Sequence, residues 1–89
     1  MDFEWDSEKA QENENKHGVS FSEASEVFGD GQSSIVGDPD HSEGEDRYLI
    51  FGVSRNGRYL VVSYTEREER IRLISARTMT PRERRAYEQ

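Results

Sequence analysis

The sequence predicts an α+β domain in which helices pack on a twisted antiparallel sheet. Strand-like runs rich in β-branched and aromatic residues occupy residues 47–54, 58–66 and 69–76. Asn56-Gly57, the strongest short hairpin signal, joins the first two runs, and residues 67–69 join the second to the third. These three strands are therefore expected to be consecutive and antiparallel, with two helical patterns before them and one after them.

A short strand and a polar helix are predicted at the start of the chain. The opening MDFEW alternates aromatic and acidic residues, which is typical of a strand. A helix over residues 7–17 follows, because Asp6 or Ser7 can cap its start and Gly18 can adopt the left-handed conformation that ends helices. This helix is almost entirely polar, so few contacts can hold it to the rest of the chain.

A second helix begins at a capping box, in which Ser20 and Glu23 satisfy each other's backbone donors. It places four apolar residues on one stripe that can face the sheet: Phe21, Ala24, Val27 and Phe28. Residues 33–38 then read as a short strand. The last helix has Thr80 as N-cap, Pro81 in its first position and Glu83 as the acid of a second capping box.

The composition fits one small domain spanning residues 1–89. Leu, Ile, Val and Phe number 17 of 89 and the net charge is −7, values typical of unfolded chains. Most of these apolar residues nevertheless lie in strand-like runs, which favours a folded domain with a small core. The absence of cysteine excludes disulfides and Cys-based zinc sites. No apolar run has the length of a signal peptide or membrane span, so we expect a cytoplasmic protein with no membrane partner.

Charge divides the chain into two halves. Residues 1–46 carry fourteen acidic and two basic residues, whereas residues 47–89 carry five acidic and ten basic residues. A basic half favours an anionic partner, and the phosphates of RNA are one candidate. The alternative is that the two halves neutralise each other across the fold.

The basic residues of the second half are all arginines. Between residues 67 and 85 there are seven arginines and no lysine, and guanidinium groups bind phosphate oxygens through two parallel hydrogen bonds. Strand alternation predicts Ile71, Leu73 and Ser75 on one face of the third run and Arg70 and Arg72 on the other. An ordinary solvated face is the alternative, with the arginines paired to the glutamates at positions 66, 68, 69 and 83.

An acidic loop over residues 37–46 has three interpretations. Its candidate ligands for a hard cation are Asp38, Asp40, His41, Glu43, Glu45 and Asp46. Their spacing matches no calcium loop, which favours a solvated loop. The acids can also orient the arginines as ion-pair partners.

Several segments in a fixed order resemble the BrnT family of toxins. They are FEWDSEKAQENENKHGVSFSEASEVFGD, DPDHSEGEDRYLIFGVSRNGRYLVVSYTER and RIRLISARTMTPRERRAYE, and together they cover nearly the whole chain. The resemblance implies a RelE-like fold and a cytoplasmic, metal-independent ribonuclease toxin that arrests growth and uses no cofactor. Its partner would be a BrnA-type ribbon-helix-helix antitoxin, and operator DNA would be bound only through that antitoxin.

The resemblance also implies a reaction and a set of site residues. A ribose 2′-OH would attack the adjacent phosphodiester, which requires proton transfer and cations around the phosphorane. The implied catalytic residues are His17 or Tyr87 for proton transfer and Arg67 and Arg77 for charge. The implied RNA-binding residues are Lys16, Arg70, Arg72 and Arg84.

We expect Lys16, His17, Arg67 and Arg77 to gather around one phosphate-sized space. The chain departs from the family pattern at Thr78, where many relatives have lysine. A non-catalytic or degenerate member that only binds protein or RNA is therefore the alternative function. Growth arrest through RNA cleavage, tested by expressing the chain alone, separates the two.

Overall fold

A computed structural model of the chain describes residues 1–38 and 44–89. The described residues form five strands and three α-helices in the order β1-α1-α2-β2-β3-β4-β5-α3. The strands are β1 Asp2–Glu4, β2 Ser34–Gly37, β3 Arg47–Val53, β4 Tyr59–Arg67 and β5 Arg70–Thr78. The helices are α1 Ser7–His17, α2 Phe21–Ser25 and α3 Pro81–Tyr87, and a 3-10 helix over Glu26–Gly29 continues α2. The predicted α+β fold and the order of its elements are confirmed.

The five strands form one sheet in the order β1-β5-β4-β3-β2. The pairs β2–β3, β3–β4 and β4–β5 are antiparallel, as the short connections predicted. β1 adds a parallel pair at the edge, with Asp2 opposite Arg70 and Glu4 opposite Arg72. The sheet is therefore mixed. The sequence contains no local signal for the pairing of β1 with β5, because no turn joins these two strands.

Two tight turns set the register of the central strands. A hairpin turn forms at Asn56-Gly57 as predicted, with Arg55 and Asn56 at its centre: the Gly57 N–H donates to the Ser54 carbonyl at 2.9 Å, and Gly57 has a left-handed φ of 82°. At the β4–β5 turn, Glu68 and Glu69 have φ values of 46° and 69°. Two consecutive left-handed residues are the conformation of the common two-residue hairpin turn, here built without glycine.

The core lies between the sheet and the layer formed by α2 and its 3-10 continuation. Phe21 and Val27 are buried, and they pack with sheet residues that include Ile50, Leu60, Val62, Tyr64 and Leu73. Phe28 is partly buried, and its ring lies 5.2 Å from that of Phe3 and 5.0 Å from that of Tyr64. The predicted contact of Phe21, Val27 and Phe28 with the apolar face of the sheet is confirmed.

A β-bulge in β5 changes which residues face the core. Ser63 pairs with Ser75 and Tyr64 pairs with Leu73, so Ile74 is an extra residue between two consecutive pairs. Ile71 and Leu73 face the core as predicted. The prediction that Ser75 shares their face is wrong, because the bulge turns Ser75 outward and places Ala76, only 1% exposed, in the core.

α1 is held to the sheet by one buried amide. Asn13 is the only buried residue of α1. Its Nδ2 donates to the carbonyls of Ala76 at 2.9 Å and Val19 at 3.1 Å, and its Oδ1 accepts from the Ala76 N–H at 3.1 Å. β1 pairs only as far as Arg72, so β5 has an open edge beyond that residue. The side chain of Asn13 therefore satisfies backbone groups that a longer β1 would satisfy.

Replacing Asn13 with alanine is expected to destabilise the fold by about 2–4 kcal/mol, because it leaves the Ala76 N–H and two buried carbonyls without partners. Urea unfolding at neutral pH measures the change. Asn15→Ala is the matched control, since Asn15 is exposed on the same helix and its side chain bonds only Gln11. Equal stabilities of the two variants would contradict the role assigned to the buried amide.

Candidate functional site

The sheet face opposite α2 carries Arg47, Arg72 and Arg77, and we call it the open face. The pairing register arranges its side chains in three rows across the strands. The rows are Arg47–Thr65–Arg72–Glu4, Leu49–Ser63–Ser75 and Phe51–Val61–Arg77. α3 covers one end of this face, where Val61 is buried outside the main core.

Two adjoining clefts lie on the open face. One, of about 360 Å³, contains Ser63 and Ser75 between Arg47 and Arg77. The other, of about 170 Å³, lies at the opposite end, and Arg47 and Ile74 line both clefts. Together they form a groove that we call the basic trough. It is lined by five cationic residues, Lys9, Arg47, Arg67, Arg72 and Arg77, and by three acidic ones, Asp6, Asp38 and Glu45.

Sequence reasoning missed two of these five cations, Lys9 and Arg47. Counting back from a two-residue Asn56-Gly57 turn would pair Arg47 with Glu66, whereas the structure pairs Arg47 with Thr65, whose other neighbour is Arg72. Arg47, Thr65 and Arg72 therefore share a face that the count does not give. Lys9 had no sequence signal either, since its position depends on how α1 lies against β5.

The arginines of the trough are paired with carboxylates. Arg67 lies 3.3 Å from Glu45, and Arg72 lies 2.9 Å from Glu4. Arg70 is more exposed and lies 3.8 Å from the same Glu4. Two of these acids come from the acidic half of the chain, as the neutralisation hypothesis expected. Among the acids of the 37–46 loop, Glu45 orients an arginine, whereas Asp40, His41 and Glu43 lie outside the described residues.

Arg77 makes the strongest of these pairs. Its Nη1 and Nη2 donate to the two carboxylate oxygens of Glu83 at 2.8 and 2.9 Å. This hydrogen bonding lowers the pKa of Glu83 from its usual 4.5 to about 2 and raises the pKa of Arg77. Glu83 also accepts from the Thr80 N–H at 2.8 Å, while the Thr80 hydroxyl accepts from the Glu83 N–H, so the predicted capping box forms. One carboxylate thus ties the start of α3 to the end of β5.

Tyr87 is placed to keep its proton. Its hydroxyl donates to Asp30 Oδ2, which also accepts from the Val53 N–H at 2.9 Å. Burial and this carboxylate raise the pKa of Tyr87 to about 12. The neighbour of Tyr87 is therefore an acid rather than the arginines that a tyrosine base would require. This arrangement opposes a role for Tyr87 as general base at neutral pH.

Arg67 and Arg77 do not share one phosphate-sized space, so that prediction is wrong. Arg67 is opposite Arg70, and Arg77 is opposite Val61. The two side chains are six residues apart along β4, about 20 Å at ~3.3 Å per residue. The reason is the topology of the sheet. β4 and β5 are antiparallel, so their C-terminal ends lie at opposite ends of the sheet along the strand direction.

Lys16 and His17 end α1 as predicted, with Gly18 in the left-handed conformation at a φ of 68°. The Gly18 carbonyl accepts from Arg58 Nη2 at 2.8 Å, and Arg58 comes just before Leu60, the partner of Thr78. The end of α1 therefore lies at the same end of the strands as Arg77 and away from Arg67, on the side of the sheet where Arg58 also pairs with Glu23 of α2. Both side chains are exposed, and no hydrogen bond or ion pair joins either of them to another residue of the described ranges.

Arg84 serves the packing of α3. Its guanidinium lies 3.9 Å from the centre of the Tyr59 ring, and it is 3.8 Å from Glu88. The Tyr59 ring in turn meets the ring of Tyr87 edge to face at 5.7 Å. α3 has no buried residue of its own. Aromatic and charged contacts of this kind are what attach it to the sheet.

The family comparison decides what kind of protein this is. The family model described as "Ribonuclease toxin, BrnT, of type II toxin-antitoxin system" matches residues 5–83. The chain belongs to the BrnT family. As a member of this family of ribonuclease toxins, it has RNA as its substrate and an antitoxin as its partner. No curated protein matches the sequence.

A solved structure supports the fold independently. The chain is similar to the ribonuclease toxin BrnT of Brucella abortus, whose crystal structure superposes with a TM-score of 0.70 at 22% sequence identity. The match covers 90% of this chain and 97% of the Brucella chain. The α+β architecture with its mixed sheet is therefore that of a BrnT structure.

Two further observations bear on the expectations from sequence. Within residues 1–38 and 44–89, no group of three or more His, Cys, Asp or Glu side chains could hold a metal ion. In the same part of the chain, no helix combines the length and the apolar character needed to cross a membrane.

The Glu83–Arg77 pair makes stability depend on pH. Because the folded-state pKa of Glu83 is lowered, its contribution is full above the ordinary carboxyl pKa of 4.5 and is lost as the pH falls towards 2. Glu83→Gln is expected to cost about 1–2 kcal/mol at pH 7, allowing for solvent screening at the half-exposed Arg77. Urea unfolding at pH 7 and at pH 3 should show this difference narrowing at the lower pH.

Glu88→Gln is the control for this prediction, because Glu88 directly follows the same helix and makes a longer, exposed pair with Arg84. It should change stability by less than about 0.5 kcal/mol. A Glu83→Gln deficit that stays constant between pH 7 and pH 3 would contradict the proposed origin of the effect.

Proposed function

We propose that the chain is a metal-independent endoribonuclease toxin that acts in the cytoplasm, binds RNA along the basic trough and arrests growth. The observation that carries this proposal is the row arrangement of the open face, which gathers five cationic side chains along two adjoining clefts. A single strand of RNA presents phosphates at intervals along its backbone, and a line of guanidinium groups fits such a target.

In the proposed binding mode, phosphates of the RNA replace the carboxylates that hold the arginines of the trough. In the free protein the carboxylates of Glu4, Glu45 and Glu83 hold the guanidinium groups of Arg72, Arg67 and Arg77. A phosphate can replace a carboxylate because both offer two oxygens to the same planar donor. Arg67 and Arg77 then contact different phosphates of one strand, since they are about 20 Å apart.

Cleavage is proposed at the Arg77 end of the trough. The ribose 2′-OH loses its proton and attacks the adjacent phosphorus, and the 5′-oxygen leaves with a proton, which gives a 2′,3′-cyclic phosphate and a 5′-OH. Arg77 stabilises the additional negative charge of the phosphorane. His17 is the proposed base, because α1 ends at this end of the sheet and histidine exchanges protons near neutral pH. Tyr87 keeps its proton and can only donate one.

RNA binding without cleavage is the second candidate function. The observation that favours it is the carboxylate already bound to each of Arg67, Arg72 and Arg77, which makes the trough less available to a substrate. Formation of a cyclic phosphate product separates the two candidates, because a binding module would shift RNA in a gel and leave it intact.

Arg77→Ala is expected to lower the rate of RNA cleavage by about 100-fold, equivalent to roughly 3 kcal/mol of transition-state stabilisation, and Arg47→Ala is expected to lower activity by weakening RNA binding. The assay uses purified toxin in EDTA, which also tests metal independence, and growth after induced expression gives the cellular result. His17→Ala should lower the rate while leaving RNA affinity nearly unchanged.

Arg55→Ala is the matched control, because it removes the same charge at the exposed β3–β4 turn, outside the trough. Thermal unfolding must show that the variants are folded, particularly Arg77→Ala, which also breaks the pair with Glu83. Cleavage that requires Mg²⁺, or full activity of both trough variants, would refute the proposed site.

We also propose that a BrnA-type ribbon-helix-helix antitoxin neutralises the toxin by binding its acidic half, and that operator DNA is bound only through the antitoxin. α1 supports this proposal, since Glu8, Glu12 and Glu14 are exposed along it. A cationic antitoxin surface would complement them.

Co-expression with the antitoxin should give a complex that survives purification. Glu12→Lys/Glu14→Lys should weaken that complex at least tenfold in a binding titration, because two attractive charges become repulsive. Glu66→Lys/Glu69→Lys makes the same charge change at exposed positions of the basic half and should have little effect. Equal effects of the two double variants would argue against binding through α1.

A further inference from the structure

We propose that the cleft between α3 and strands β2 and β3 binds one nucleobase of the RNA that occupies the basic trough. The inference rests on the proposed function and deepens it, because it adds a site for a base to a trough that contacts only phosphates. We call this cleft the base cleft.

The base cleft has the chemistry that a nucleobase requires. Its volume is about 520 Å³, and its apolar walls are formed by Val36, Phe51, Ala86 and Tyr87. Aromatic side chains provide surfaces on which a base can stack. The side-chain amides of Gln32 and Gln89 also line the cleft, and each offers both donors and an acceptor to the edge of a base.

The base cleft is continuous with the basic trough. Phe51 lies in the same row as Arg77, separated from it by Val61, so their backbones are two strands or about 10 Å apart. Glu83 lines the base cleft and is the residue that holds the Arg77 guanidinium. A phosphate that displaces Glu83 from Arg77 therefore places its own nucleotide beside the cleft.

Charge favours RNA over a cationic protein surface as the occupant. α3 forms one wall of the cleft through Glu83, Ala86 and Tyr87, and the helix also carries Arg82, Arg84 and Arg85, which do not line the cleft. Arg77 adds a further positive charge at the entrance. A helix of this charge attracts a polyanion and repels the kind of surface that would complement the acidic α1.

The test measures affinity without cleavage. A fluorescently labelled 2′-O-methyl hexanucleotide of mixed sequence cannot react, because its attacking hydroxyl is blocked, and fluorescence anisotropy gives its dissociation constant. Ala86→Trp fills the cleft from an exposed position of α3 and should weaken binding about tenfold, near the lower end of the contribution of one stacked base. Phe51→Ala removes one wall and should have a similar effect.

Ser22→Trp is the matched control, because it adds the same bulk at an exposed position on α2, on the other side of the sheet. It should leave affinity unchanged. A second measurement uses the unaltered protein with hexanucleotides that are abasic at one position at a time. One position should cost about tenfold in affinity, and Ala86→Trp should show no further loss at that position.

Three results would overturn the inference. If the hexanucleotide binds and neither Ala86→Trp nor the abasic series changes its affinity, the cleft holds no base while the proposed function stands. If Ala86→Trp instead prevents antitoxin binding and leaves RNA affinity intact, the cleft belongs to the antitoxin interface. If no hexanucleotide binds at low salt, the proposed function fails together with the inference.

Discussion

The amide of Asn13 is the interaction on which the arrangement of this fold depends. β1 is three residues long and β5 is nine, so most of β5 would be an open sheet edge without α1. α1 has almost no apolar surface with which to pack. Its single buried side chain, Asn13, forms hydrogen bonds with both the N–H and the carbonyl of Ala76. A buried, fully satisfied amide specifies position better than an apolar contact, because it is matched to only one register. The end of α1, with Lys16 and His17, is placed by that match.

The cationic side chains of the open face need carboxylates beside them, and the acidic half of the chain supplies some of these. Five cationic side chains along one groove repel each other in the absence of an anion. Glu4 and Glu45 from the acidic half pair with Arg72 and Arg67, and Glu83 from the basic half pairs with Arg77. A net charge of −7 is therefore compatible with a surface that binds RNA. In the proposed binding mode, the free energy of RNA binding depends on how much more strongly each guanidinium binds a phosphate than its own carboxylate. This free-energy difference can be changed at each arginine separately.

Local signals predicted most of the fold, and long-range geometry explains what they missed. The N-cap at Ser20, the capping box at Thr80 and the Asn56-Gly57 turn each involve residues within four positions of one another, so the sequence displays them directly. The predicted capping box at Ser20 is wrong in its second half, because the Glu23 carboxylate accepts from Ser54 and Arg58. The bulge at Ile74 and the parallel pairing of β1 depend on contacts between distant segments. The separation of Arg67 from Arg77 could have been deduced, because strands joined by a tight turn must end at opposite edges.

The length of the basic trough constrains how RNA is used. In the proposed binding mode, an RNA that contacts both Arg67 and Arg77 spans about 20 Å along the strands and meets the two arginines through different nucleotides. The two ends of the trough then have different proposed tasks. His17 ends α1 at the same end of the strands as Arg77, where α3 is also attached, and this end is proposed for the chemical step. The Arg67 end is proposed to contribute affinity. A substitution at the Arg67 end should therefore act mainly on binding and one at the Arg77 end mainly on the chemical step, which follows from where two antiparallel strands end.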